Sequence, residues 1–172
     1  QPELTTLTHW SDRDLKLAPL QAIQGMIWEQ GYADGALRGQ VYADVARHLR
    51  LWARRGVRVF TFSSGSIPAQ RMIFGHSTEG DLASLLAGFF DTRIGAKREP
   101  DTYVRLAIGM NVPTAAVAFL SDVEAELDAA ATAGMRTCQI HRPDAASPRA
   151  ERHPVAADFA AAAHLLGLPA EQ

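Results

Sequence analysis

The chain has 172 residues, 47% hydrophobic and 21% charged, and its 17 basic against 19 acidic side chains leave a formal net charge of -2. That is the profile of one ordinary globular domain, long enough to bury a core, with no basic surplus to favour nucleic acid or an anionic membrane as a partner. Cys138 is the single cysteine, which excludes an internal disulfide and a cysteine-based zinc cluster, and no apolar run approaches the roughly 20 residues that span a bilayer. No charged segment followed by an apolar one opens the chain, so the reading is cytoplasmic, with no membrane partner.

Residues 12–35 carry Leu17, Leu20, Ile23, Met26, Ile27 and Tyr32 at irregular helical spacing, interrupted by Gly25 and Gly31. Val41, Val45, Leu49 and Trp52 then recur every three or four residues, one face of a helix that Gly56 ends. "VRVFTF" has the β-branched and aromatic content of a buried strand. Helices are predicted from about Ile67 to Phe74 and from Gly80 to Ala87, with "FFDTRIGAKREP" as a link to a helix from Asp101 to Met110 that turns Tyr103, Val104, Leu106 and Ala107 inward. "AAVAFL" reads as a second strand, Val123–Ala133 as a helix, "RTCQIH" as a third strand and Pro154–Leu166 as the last helix. Strands alternating with helices give an α/β fold, a parallel sheet covered on both faces, whose ligands sit beyond the carboxyl ends of the strands.

Two segments follow strands directly. After "FTF" come Ser63, Ser64, Gly65 and Ser66. If Ser66 caps a helix with Pro68 in its first turn, the N–H groups and helix dipole share a space with the Ser63 and Ser64 hydroxyls, which suits a phosphate dianion; simple capping explains the same serines. After "AFL" comes Asp122, placed to hold Mg2+ through a hard carboxylate oxygen, with Glu126 one turn further on and able to orient it. Ser121 and Glu124 also fit a Ser-x-x-Glu capping box, which accounts for the stretch by helix initiation alone.

Lys97 is one of two lysines, with Lys16, among 15 arginines. It is either a compact charge for a phosphoryl oxygen or a solvated surface residue. His76 could serve as an acid or base by type, or hydrogen-bond structurally, and has no assigned role. Met26, Trp28 and Trp52 read as core, and Cys138 as a small buried hydrophobe.

In order and wording, "FSSGSIPAQRMIFGHSTEGDL", "FFDTRIGAKREPDTYVRLA" and "AFLSDVEAELDAAATAGM" resemble the three later motifs of the haloacid dehalogenase superfamily, in the form found in the acireductone synthases (enolase-phosphatases). "PLQAIQGMIWEQGYADGALRGQVYADV" resembles the end of that family's helical cap. The resemblance implies a three-layer Rossmann-like core over 41–172 and a partial cap over 1–40. It implies a Mg2+-dependent hydrolase of methionine salvage acting on 2,3-diketo-5-methylthiopentyl 1-phosphate, a monomer when complete. By position, Ser63, Ser64 and Lys97 would contact the substrate and Asp122 would bind Mg2+. The family's first strand ends in an Asp-x-Glu-Gly-Thr run carrying the nucleophile, and no such run occurs in these 172 residues. The alternative is therefore a phosphate-binding or interaction domain without turnover. Without that strand, the strands ending at Ser63 and Asp122 are expected to leave a gap between facing, unpaired edges.

Overall fold

The computed structural model describes residues 30–170. The predicted helix over 12–35, with Leu17, Leu20, Ile23, Met26, Ile27 and Trp28, lies almost entirely outside them. Helix α1 spans Ala43–Arg54, followed by Gly56 at φ 73°, the left-handed stop its position calls for. Leu49 and Trp52 are buried on the predicted face. Strand β1, Phe60–Ser63, leads into helix α2, Ile67–Gly75. A short 3-10 turn, Ala83–Leu85, stands where a helix from Gly80 to Ala87 was expected.

Gly88–Asp91 is strand β2, paired in parallel with β1 in the register Phe60 to Gly88 and Ser63 to Asp91. Its Phe89–Asp91 stretch lies in "FFDTRIGAKREP", expected as a link. Helix α3, Pro100–Met110, buries Tyr103, Leu106 and Ala107 as expected but leaves Val104 40% exposed, one position off the apolar face. Strand β3, Ala118–Ser121, helix α4, Glu124–Thr132, and strand β4, Arg136–Ile140, follow. The expected helix from Pro154 instead opens with the two-residue strand β5, Val155–Ala156, and helix α5 begins at Phe159 and ends at Leu166. Asp158 caps it through the Ala161 amide.

Among the described residues five strands therefore stand where three were expected, in two parallel sheets of order β1-β2 and β3-β4-β5. Alternation along the strands sorts the layers. Phe62, Phe90 and Phe119 pack with Tyr103, Leu106, Ala129 and Ala130 beneath α3 and α4. Trp52 of α1 stacks on Phe159 of α5 at 5.6 Å and donates its Nε1–H to the Pro169 carbonyl at 2.9 Å, covering the opposite face. Cys138, fully buried in β4, packs with Ala156, Ala162 and Leu166, and burial raises its thiol pKa. The expected gap lies between β1 and β3, as a cleft of about 730 Å3.

Candidate active site

Gln70 assembles the first wall. It is 3% exposed, and its amide nitrogen donates to the carbonyls of Gly65 and Phe90, each at 2.9 Å, while its oxygen accepts from the Thr61 hydroxyl at 2.6 Å. One side chain from the first turns of α2 thus fixes β1, β2 and the serine loop together. Within that loop Ser66 caps α2 as expected, accepting from the Ala69 amide at 3.3 Å, and Ser63 Oγ accepts from Gly65 N–H at 3.0 Å. Pro68 has no N–H. The Ile67 N–H is turned to the Asp91 carboxylate. The donors left to an incoming anion are consequently the Ser64 hydroxyl, the Ser63 hydroxyl proton and the Ser66 amide, fewer than the sequence alone suggests.

Asp91 ends β2 beside Ser63 and is bound through both carboxylate oxygens by Arg93 Nε at 2.9 Å. The Arg93 hydrogen bond holds its carboxyl below the usual aspartate value. From the sequence Asp91 carried no signal beyond a loop carboxylate.

Lys97 is not a solvated surface residue. Its Nζ lies 3.2 and 3.3 Å from the two oxygens of Glu126 and 5.5 Å from the centre of the Phe62 ring. Glu126 also accepts from the Ser121 hydroxyl at 2.9 Å, so Lys97 bridges the carboxyl ends of β1 and β3. The buried Tyr103 hydroxyl donates to the Lys97 carbonyl at 2.6 Å; burial, reinforced by the Glu126 charge, raises its pKa and keeps it a neutral donor. The same loop needs Gly95, at φ 152°, where a Cβ would collide with the Thr102 side chain. Gly95→Ala is expected to destabilise the fold by about 1–3 kcal/mol, the cost of a strained backbone position. An unchanged melting temperature would show that this turn can relax.

The capping box does not form. Val123 is the N-cap of α4, with no side-chain cap bond; Ser121 Oγ accepts from Val123 N–H at 3.1 Å and gives its proton to Glu126, while Glu124 accepts from the amides of Glu151 and Arg152. Glu126 reaches Lys97 and Ser121 rather than the Asp122 carboxylate. Asp122 is exposed and its carboxylate has no hydrogen-bond partner among the described residues. Its carbonyl is fixed by Gln139 Nε2 at 3.0 Å; the same amide donates to Pro148 O at 2.7 Å, and Gln139 Oε1 accepts from Ala150 N–H at 2.7 Å. A second fully buried glutamine thus holds the second strand-end loop. An unpaired carboxylate on a loop pinned this way fits one ligand of a hard cation that takes its remaining oxygens from water and substrate.

Glu124, Asp128 and His153 also offer three ligand atoms within 4.8 Å of one another. Arg152 Nη2 occupies Asp128 at 2.7 Å, and His153 sits between Asp128 and the Thr137 hydroxyl, so the ligand atoms of this cluster are already engaged with one another and with Arg152. Bonding to Arg152, then His153, brings the Asp128 carboxyl down to about 2. A depressed carboxylate contributes stability that is complete above the unfolded value, about 4, and disappears as pH falls through the folded one. Asp128→Asn is expected to flatten the loss of stability between about pH 4 and pH 2; an acid limb identical to the parent's would show the network contributes nothing. His76 caps the end of α2 remote from the serine loop and stacks on Tyr32 at 5.8 Å, a structural position.

No helix among the described residues is long and apolar enough to cross a membrane. Residues 8–134 match the haloacid dehalogenase-like hydrolases. The chain is 51% identical over 170 residues to an enolase-phosphatase E1 of Granulibacter bethesdensis, covering 98% of this chain and 74% of that protein. It is 47% identical over 168 residues to its counterpart in Gluconacetobacter diazotrophicus, covering 98% and 72%. The crystal structure of the UTR4 protein of Saccharomyces cerevisiae superposes with a TM-score of 0.80 at 32% identity, covering 90% of this chain and 72% of that one. On the family match and the identity to these relatives, the chain belongs to the enolase-phosphatase family of haloacid dehalogenase-like hydrolases.

Proposed function

We propose that this chain carries the core of a phosphoric monoester hydrolase, an enolase-phosphatase that converts 2,3-diketo-5-methylthiopentyl 1-phosphate to the acireductone in methionine salvage. The observation that carries the reading is Lys97, paired with Glu126, which also accepts from the Ser121 hydroxyl, and set over Phe62, at the carboxyl ends of the two strands that lead into the serine loop and Asp122. A fixed cation at the ends of strands that deliver hydroxyls and an unpaired carboxylate can receive a phosphoryl group and neutralise charge that grows as its ester bond breaks.

In this reading Ser63 and Ser64 bind the substrate and its phosphate, Lys97 offsets phosphoryl charge, and Glu126 positions Lys97. Asp122 would hold Mg2+, which when bound supplies electrostatic stabilisation to phosphoryl oxygens. Gln70 and Gln139 orient the two loops. Residues 1–40 would be the remainder of a helical cap and 41–172 the core, with the complete enzyme a cytoplasmic monomer whose partner is the small phosphorylated diketone.

One observation favours the second reading, a phosphate-binding domain without turnover. No Asp-x-Glu-Gly-Thr run occurs among the 172 residues. Phosphate release from the diketo phosphate, measured for the 172-residue chain and for a protein of the relatives' full length, separates the two. The longer protein is expected to release phosphate only with Mg2+, and the shorter one none. Mg2+-dependent release by the 172-residue chain would overturn this account of the nucleophile, and binding without release by both would favour the second reading.

A further inference from the structure

An anion already stands at the N-terminus of α2. The Asp91 carboxylate, 7% exposed, takes the Ile67 N–H, the first amide inside that helix, and its Oδ1 accepts from the Arg93 N–H at 3.1 Å. Parallel pairing sets Asp91 beside Ser63, so one carboxylate ties the end of β2 to the start of α2 across the serine loop. Its charge meets the positive end of the helix dipole, the place the sequence offered to a phosphate. The donors left for phosphate, the Ser63 and Ser64 hydroxyls and the Ser66 amide, therefore share a short loop with a fixed negative charge. Left uncancelled, that charge repels a dianion, and more strongly than in bulk water because the protein lowers the local dielectric.

Arg93 cancels it. Its Nε lies 2.9 Å from both oxygens of Asp91 and its Nη2 2.8 Å from Oδ2, a side-on grip that a planar guanidinium makes and an ammonium does not. The Arg93 side chain is 76% exposed, and a pair screened by solvent to that degree adds little to stability. Without Arg93, Asp91 would still hold the Ile67 amide and α2 would keep its place. What would change is the charge beside the loop.

We propose that Arg93 sets the phosphate affinity of the serine loop through Asp91: Asp91 is a positioning residue that anchors α2, and Arg93 neutralises it so that a phosphate dianion can settle alongside. This rests on the reading of the serine loop as a phosphate site, and it gives that site two residues beyond Ser63, Ser64 and Lys97.

The test is made in a protein of the relatives' full length, with Mg2+, and reads the affinity for inorganic phosphate by calorimetry. Arg93→Gln is expected to weaken phosphate about tenfold in dilute buffer, and the gap to the parent is expected to narrow in about 1 M sodium chloride, where exposed charges are screened within about 3 Å. Arg93→Lys keeps the charge without the fork and is expected to stay within about threefold of the parent. Arg93→Gln combined with Asp91→Asn removes both charges, keeps an oxygen for an amide, and is expected to return to within about threefold as well. Recovery on removing a second group is the mark of a charge effect, since a merely structural loss would deepen. Phosphate binding by Arg93→Gln equal to the parent's would overturn the proposal, as would a double variant no tighter than Arg93→Gln or a lysine variant as weak as the glutamine one. A parent that binds no phosphate would overturn it together with the phosphate site. A parent that binds phosphate but releases none from the diketo phosphate would sink the proposed activity alone, because the variants are judged by binding.

Discussion

Lys97→Met, made in a protein of the relatives' full length, is expected to lower phosphate release by about 100- to 1,000-fold, the loss seen when a preorganised stabiliser of developing negative charge is removed. Part of the loss is expected as weaker substrate binding, because the phosphate is already charged in the ground state. The substitution also strips Glu126, which is 8% exposed, of its cation and leaves it only the Ser121 hydroxyl. An ionised carboxylate so placed destabilises the fold, which would mimic a catalytic defect. The double variant Lys97→Met with Glu126→Gln removes that ambiguity, since the glutamine amide can still meet Ser121. The double variant is expected to melt near the parent temperature and to stay inactive. Recovery of activity in it would make Lys97 a structural residue and sink its assigned role.

Gln139→Leu carries the largest expected effect on stability. The side chain is fully buried and satisfies the Asp122 and Pro148 carbonyls and the Ala150 amide. Leucine fills much of the space and serves none of them, and each buried polar group left unpaired costs about 1–3 kcal/mol. A total of about 3 kcal/mol or more corresponds to a fall in melting temperature on the order of 10 °C for a domain of this size. Because one of the bonds holds the Asp122 loop, Mg2+ dependence of the full-length protein is expected to weaken in parallel. Asp122→Asn separates these effects: it should weaken Mg2+ dependence while leaving stability near the parent's, since the Asp122 carboxylate has no partner among the described residues. If Gln139→Leu melted normally, water would have to reach that loop, and the closed picture of it would be wrong.

The elements legible in the sequence were those with a local signature. The face of α1, the Ser66 cap and the apolar run of β3 each declare themselves within a few residues. Strand β2 did not, because four residues of "GFFD" after the apolar "ASLLA" support helix or linker equally, and only pairing with β1 makes them a strand. β5 has two residues and exists through Gln139 and Ile140 of β4.

The site divides the same way. Ser63, Ser64 and Asp122 are placed by following strands, and motif order added Lys97. Gln70 and Gln139 were invisible, since a glutamine in a helix or a strand looks solvent-facing until neighbours from other elements bury it. The capping box failed for a related reason. Ser121 and Glu124 have the right spacing, but Glu126 claims the serine hydroxyl and the loop at Glu151 and Arg152 claims Glu124.

Cys138 gives the molecule its own clock. Its thiol is sealed between β4 and α5 and its acidity is suppressed by burial, so a disulfide reagent reaches the thiolate only while that layer is open. When reclosing outpaces the chemical step, the labelling rate is the intrinsic thiol rate multiplied by the fraction of time spent open. Being the sole thiol in the chain, Cys138 reports that fraction for the β3-β4-β5 sheet alone, without a label, a tag or a background from any other site.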